Sequence, residues 1–441
     1  MTTFSALGLI EPLCLTLETL GYATPTPVQS GTIPAVLDGR DVLAAAQTGT
    51  GKTAAFALPL LQRLGAMETP TPSNSVRTLV LVPTRELAEQ VCESFREYGP
   101  ALNVKSFAAY GGVSINPQMM RLRRGVDVLV ATPGRLIDLL GRNALKLKHV
   151  DTLVLDEADR MLDLGFADAI STLLQALHRK PQILLFSATF SAEIRELADT
   201  LLAEPVSVEA SPANTAARQV TQWIIPCDKK KKPQLFMHLL KVHGWEQALV
   251  FVKTRKGADE LVETLLARGI NADAIHGDKN QPSRLKALAR FKSGEVKFLV
   301  ATDVAARGLD INLLPQVINF DLPIVAEDYI HRIGRTGRAG ASGEAISLVC
   351  ADEVDHLAAI ETLLRQTLKR VEIDGFAAEH RVPQTAPGGQ IIKKPKKPKA
   401  AKTVSGIKAA PIKAGADKPK SARPGPPRFG QKPAAQKRSK P

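Results

Sequence analysis

Twice along this chain, short runs of consecutive apolar residues alternate with segments of helical periodicity. In the first series the runs lie at 41–45, 78–82, 126–130, 153–155 and 183–186. In the second they lie at 248–252, 272–275, 297–301, 316–320 and 345–349. The runs are rich in Val, Leu and Ile and do not alternate with polar residues, so both faces of each strand must be buried. A parallel sheet covered by helices meets that demand, because parallel neighbours need a crossover that lays a helix on a face. The expected class is α/β. A Pro/Ala/Ser/Asn stretch around 211–217 breaks the rhythm, and 441 residues exceed what one core sustains. The pattern predicts a first domain over 1–208, a linker over 209–218, a second domain over 219–375 and a tail over 376–441. Two α/β domains on a short linker leave a cleft between them, a favoured place for a ligand.

Charge is distributed unevenly. Residues 391–441 hold 13 Lys and 3 Arg against the single acid Asp417, a net of +15, so the remainder of this +14 chain is −1. A Lys/Pro/Ala/Gly segment with Phe429 as its one aromatic cannot bury enough apolar surface to offset its ordering entropy, and it is expected to be disordered. Such a segment serves either as an electrostatic tether for a nucleic acid or as a solubilising end. No window approaches 18 uncharged apolar residues, so no membrane span is expected. The start Met1-Thr2-Thr3-Phe4-Ser5 has no secretion-signal pattern. Cys14, Cys92, Cys227 and Cys350 are scattered without C-x-x-C spacing, which gives no obvious zinc site and suits the reducing cytoplasm.

Two motifs carry chemistry. After the run at 41–45 comes Ala46-Gln47-Thr48-Gly49-Thr50-Gly51-Lys52-Thr53, followed by good helix formers through Leu64. Strand, glycine-rich loop and helix is the setting in which backbone N–H groups cradle phosphates, Lys52 reaches the β/γ-phosphates and Thr53 ligates Mg²⁺. Ala46 stands where the general pattern has a glycine, and an ordinary βα turn would read similarly. About a hundred residues later, Asp156-Glu157-Ala158-Asp159 closes the run at 152–155. Mg²⁺ beside phosphates needs one or two carboxylates, although a solvated helix N-terminus would also carry such acids. In this order the two motifs imply a nucleoside triphosphatase.

With these residues in place, the chain over about 4–375 resembles a DEAD-box ATP-dependent RNA helicase. Residues 251–255 and 274–281 further resemble the bacterial RhlE type. The resemblance implies two tandem RecA-like parallel-sheet domains followed by the disordered basic C-terminal tail. It also implies an adenine-reading segment over 4–30, in which Gln29 pairs with the base and Phe4 packs on it. Residues Ala46, Gln47, Thr48, Gly49, Thr50, Gly51, Lys52 and Thr53 would hold ATP, with Asp310 at the ribose. Thr53 and Asp156 would hold Mg²⁺, Asp156 through water, and Glu157 would orient the attacking water. Arg335 and Arg338 would act as arginine fingers on the γ-phosphate, making hydrolysis conditional on domain closure. Ser187, Ala188 and Thr189, with Asp159 and His331, would couple hydrolysis to strand separation.

The implied RNA contacts of the first domain are Pro83, Thr84, Arg85, Gly111, Gly112, Thr132, Pro133 and Arg135. Those of the second are Thr254, Arg255, Gln281, Arg284, Thr302 and Asp303. Hydroxyls, glycines and arginines suit phosphate and 2′-OH contacts, and 5% aromatics argue against a base-stacking groove. The expected activity is local unwinding of short RNA duplexes, or remodelling of RNA–protein complexes, by ATP- and RNA-driven closure. An ATP-gated RNA clamp or scaffold is the alternative. The expected setting is a cytoplasmic monomer, with ribosomal precursor particles or RNA-degradation machinery as possible partners by analogy.

Overall fold

In the computed structural model, alternate residues of each central strand enter different cores. In β2 (Val76–Leu81) Val80 joins one apolar cluster, while Leu79 and Leu81 join another. In β4 (Val126–Ala131) Val128 and Val130 divide from Leu129 and Ala131 in the same way. The helices Lys52–Gly65 and Arg85–Tyr98 cover the first face with Phe56, Leu60, Val91 and Phe95. Helices Pro133–Gly141 and Ala167–Gln175 cover the second with Leu136, Leu139, Ile170 and Leu173. Two-sided burial is why these strands are unbroken apolar runs. The structure describes residues 2–46, 49–188, 190–209, 220–306, 309, 311, 314–337, 343–386 and 388–392.

Seven parallel strands form each of two sheets. The first adds β1 (Val42–Ala45), β3 (Ser106–Ala109), β5 (Thr152–Leu155), β6 (Gln182–Ser187) and β7 (Val206–Glu209), in the order β3-β4-β2-β5-β6-β1-β7. The second comprises β8 (Val220–Pro226), β9 (Ala248–Phe251), β10 (Ala272–Ile275), β11 (Phe298–Ala301), β12 (Gln316–Asn319), β13 (Gly343–Val349) and β14 (Lys369–Arg370). Its order is β10-β11-β9-β12-β13-β8-β14. Counted from its own first strand, the second sheet repeats the first position by position. The α/β class and the two parallel sheets are therefore as expected. The apolar runs marked ten of the fourteen strands. β3, β7, β8 and β14 escaped because they are polar in part, lie toward the edges or, for β14, span two residues.

The boundary expected at 376 is displaced. Residues 376–392 pack on the second lobe. Phe376 lies 5.2 Å from His238, Val382 is buried, and Arg370 donates to the carbonyls of Val382 and Pro383 at 3.2 and 2.7 Å. Asp228 accepts from the N–H groups of Glu379 and His380, and Thr385 bridges Ile391. The segment hid in the sequence because isolated apolar anchors make no period. Residues 210–218 of the expected linker and the tail from 393 lie outside the described residues; Glu209 ends β7.

Candidate active site and nucleic-acid interface

Because each sheet is wholly parallel, its loops after the strands gather along one edge. In the first lobe β1, β5 and β6 bring the expected phosphate and metal residues to adjoining positions. The Ala46 N–H donates to the Ser187 carbonyl at 3.0 Å, extending the pairing of β1 into the loop. Gly51 has φ +92°, and a Cβ there would stand 2.3 Å from Nε2 of Gln29, so the position demands glycine on both backbone and steric grounds. Lys52 opens the helix at 6% exposure, and its Nζ finds no hydrogen-bond partner among the described residues. Burying an ammonium without an acceptor is costly, so this is a site built for an anion. Asp156 continues the pairing of β5 through its N–H to the Leu81 carbonyl. Glu157 follows in a left-handed conformation, φ +53°.

Burial raises the Asp156 pKa and pushes that of Glu157 up to about 7, with the charge of Lys52 opposing both shifts. A cation held at Asp156 would relieve that burial cost. Mg²⁺ with phosphate oxygens and waters needs only one or two protein ligands, so Asp156 and Thr53 fit it. No group of three or more His, Cys, Asp or Glu ligands occurs among the described residues.

The second lobe reaches this site. Arg335, 4% exposed, donates to the Leu309 carbonyl at 2.7 Å, and its charge acts on Glu157 across the cleft. His331 faces Asp159; burial foremost pushes its pKa down, against the pull of that carboxylate. Asp159 in turn accepts from the Ala188 N–H at 3.0 Å, directly after the fully buried Ser187. Four of the five expected coupling residues are thus assembled across the lobes. Gln47, Thr48, Thr189, Asp310 and Arg338 lie outside the described residues.

A cavity of about 660 Å³ joins Gln29, Lys52, Asp156 and Glu157 to Leu285 and Leu309 of the second lobe. Gln29 is oriented by accepting from the Thr26 N–H at 2.9 Å and donating to the Gly51 carbonyl at 3.3 Å. Phe4, expected to pack on the base, is instead 6% exposed within the first apolar core. The cavity's aromatic wall is Tyr22 and Tyr98, whose hydroxyls meet at 3.2 Å. Tyr22 lay inside the segment already singled out, and its neighbouring glycine and prolines were the only signal.

On the other half of each sheet, the residues expected to meet RNA fall at matching positions of the repeat. β2 leads through Pro83 to Thr84-Arg85, and β9 to Thr254-Arg255. Each threonine caps the following helix, accepting from Leu87 N–H at 3.3 Å and Gly257 N–H at 3.0 Å. β3 leads to Gly111-Gly112 and β10 to His276-Gly277; β4 leads to Thr132-Pro133 and β11 to Thr302-Asp303. Arg85 lies on Gly112, where a Cβ would come within 2.1 Å of its Nη1. Arg135 donates to the Val113 carbonyl at 2.8 Å, and Arg255 pairs with Asp278 at 2.6 Å.

Three of these residues have other partners. Arg332 grips both oxygens of Asp303 at 2.5 and 2.7 Å. Gln281 and Arg284 turn to Glu86 of the first lobe, at 2.9 and 3.1 Å. Sequence reasoning did not foresee Glu86 or Arg332 in these roles, because a buried charge is recognised only by its partner.

A phosphate cradle in one α/β lobe, faced by an arginine from a second lobe of the same topology, defines a two-lobed nucleoside triphosphatase. Comparison with known proteins narrows the class. Residues 26–197 match the DEAD/DEAH box helicase family and residues 231–340 the helicase conserved C-terminal domain. The chain is 42% identical over 372 residues to the DEAD-box ATP-dependent RNA helicase CshA of Geobacillus kaustophilus, covering 84% of this chain and 79% of that protein. It belongs to the DEAD-box ATP-dependent RNA helicases. This relative and one from Listeria monocytogenes, 41% identical, both carry the CshA name, so the RhlE type suggested by 251–255 and 274–281 is not supported.

Among solved structures, S. cerevisiae Dbp5 bound to RNA and ADP BeF3 overlays with a TM-score of 0.76 at 32% identity, covering 85% of this chain and 96% of that one. A Dbp5 variant bound to Nup159, Gle1 and ADP overlays with a TM-score of 0.57 at 30% identity, covering 83% and 96%.

Proposed function

We propose that the chain is an RNA-stimulated ATPase that locally unwinds short RNA duplexes or remodels RNA–protein complexes by closing its two lobes. The observation that carries this reading is the electrostatic reach of Arg335 and His331 onto Glu157 and Asp159. Hydrolysis then depends on the second lobe being in place, and the same closure aligns the paired strand ends for RNA. The better overlay on the RNA- and ADP BeF3-bound relative supports a closed arrangement.

In this reading Lys52 neutralises phosphate charge, and Thr53 and Asp156 would hold Mg²⁺, whose chemistry there would be to offset charge on the phosphate. Glu157 orients water, while Arg335 meets charge developing on the γ-phosphate. Thr84, Arg85, Gly112, Thr132, Arg135, Thr254 and Arg255 hold the RNA backbone with little sequence preference. The four free cysteines suit a reducing cytoplasm, and ribosomal precursors or RNA-degradation machinery would be its setting.

The test is ATP hydrolysis against RNA concentration, with single-stranded DNA as comparator and displacement of a short labelled RNA duplex measured in parallel. Stimulation by RNA with ATP-dependent displacement is expected. Turnover without displacement would favour the clamp, and equal stimulation by DNA would contradict an RNA-specific grip.

A further inference from the structure

The repeated strand order gives each strand end of the second lobe a counterpart in the first. β1 and β8 hold the same place, and the helices after them begin at Lys52 and Lys232. β5 and β12 hold the same place, and they are followed by Asp156 and by Asp321. Both lobes therefore set a lysine at a helix start near an aspartate two strands away. The two lysines differ in what surrounds them. Lys232, 1% exposed, donates to the Phe320 carbonyl at 2.8 Å, to Asp321 Oδ1 at 3.1 Å and to Glu353 Oε2 at 2.8 Å. Three donors meet three acceptors, which leaves no capacity for a phosphate.

The acceptors lead toward the cleft. Glu353 Oε1 accepts from the Leu322 N–H at 3.0 Å, and Asp321 Oδ2 accepts from the Lys253 N–H at 2.9 Å. The Asp321 carbonyl accepts from Arg332 Nη1 at 2.7 Å, while the same guanidinium grips Asp303 and lies 4.7 Å over the Phe251 ring. Arg332 follows His331 directly, and the Arg335 N–H donates to its carbonyl at 3.2 Å.

We propose that Lys232 is the second lobe's counterpart of Lys52 turned inward: a positioning residue that fixes the Phe320–Asp321–Leu322 turn and, through Arg332, sets the aim of Arg335 and His331. The proposal rests on the ATPase reading above and deepens it. Without the ammonium, the Phe320 carbonyl and the Asp321 carboxylate lose the donor that pins the turn, and the Asp321 carbonyl that orients Arg332 is freed to shift. A misplacement of about 1 Å at a reacting centre costs up to about 10²-fold in rate.

The experiment uses full-length Lys232→Met, with RNA-stimulated ATP hydrolysis, binding of a fluorescent ADP and thermal unfolding measured together. The expected result is a kcat lowered about tenfold or more, with KM for ATP and ADP affinity within about twofold of wild type, because the Lys52 site is untouched. Uncompensated buried carboxylates can unfold such a variant, so K232M/E353Q, which removes one of them, is measured alongside and is expected to show the same kcat loss. Wild-type kcat in either folded variant, a loss confined to KM, or failure of both variants to fold would each overturn the proposal. A wild-type protein without RNA-stimulated hydrolysis would overturn the ATPase reading instead.

Discussion

The role proposed for Glu157 rests on one ionisation. Only the carboxylate can accept from the attacking water, and desolvation in the cleft raises its pKa from the ordinary 4.5 to about 7. In the nucleotide-free protein kcat/KM should therefore fall as pH drops through about 7, and a limb near pH 5 would remove this assignment. His331 does not mimic the limb, since burial pushes its own pKa down. Glu157→Gln should bind ATP but not turn it over, with product formation as the readout. The sign for stability is opposite to the usual carboxylate case: the folded pKa is raised, so the folded state bears the cost of the charge above pH 7 and sheds it as pH falls toward 4.5. Melting curves should thus find E157Q more stable than wild type at pH 8, with the gain vanishing near pH 4.5.

At the scale of elements, function sits on turns whose geometry leaves no room for ordinary side chains. Gly112, φ +78°, ends the β3 turn with its Cα against the Arg85 guanidinium. Gly112→Ala would strain the backbone and displace Arg85 together, while leaving the phosphate loop untouched. RNA affinity should drop about tenfold with ADP affinity unchanged, as read by fluorescence anisotropy of labelled RNA and nucleotide; a parallel loss of both would point to general unfolding. The sequence marked Gly112 by its place in a family motif. That it supports Arg85 specifically became visible only when the ends of β2 and β3 were brought together.

For the whole molecule, the second lobe extends well beyond 376. Residues 376–392 are tied to the second lobe through Phe376, Val382 and the bonds of Asp228 and Arg370. Ending the chain after 392 should leave the melting temperature unchanged but weaken RNA binding much more at low salt than at high salt, because the removed cations act by counterion release. Ending it at 375 should additionally lower the melting temperature by several degrees, since buried apolar surface and hydrogen bonds are lost. Equal RNA affinity at every salt concentration would show that the tail is no tether.

The sequence alone determined the α/β class, the twofold series of strands, the phosphate loop and the acids behind β5, because these depend on local periodicity and on residues adjacent in the chain. It also located the basic charge after residue 390. Tertiary structure decided what depends on partners distant in sequence. It placed Phe4 in the core and Tyr22 at the cavity, turned Gln281 and Arg284 to Glu86, and engaged Asp303 with Arg332. It also left the ammonium of Lys52 without a protein acceptor among the described residues, while Lys232 has three. A lysine reads the same in either place; whether its charge faces a ligand or an internal carboxylate is set by which strand ends the fold brings beside it.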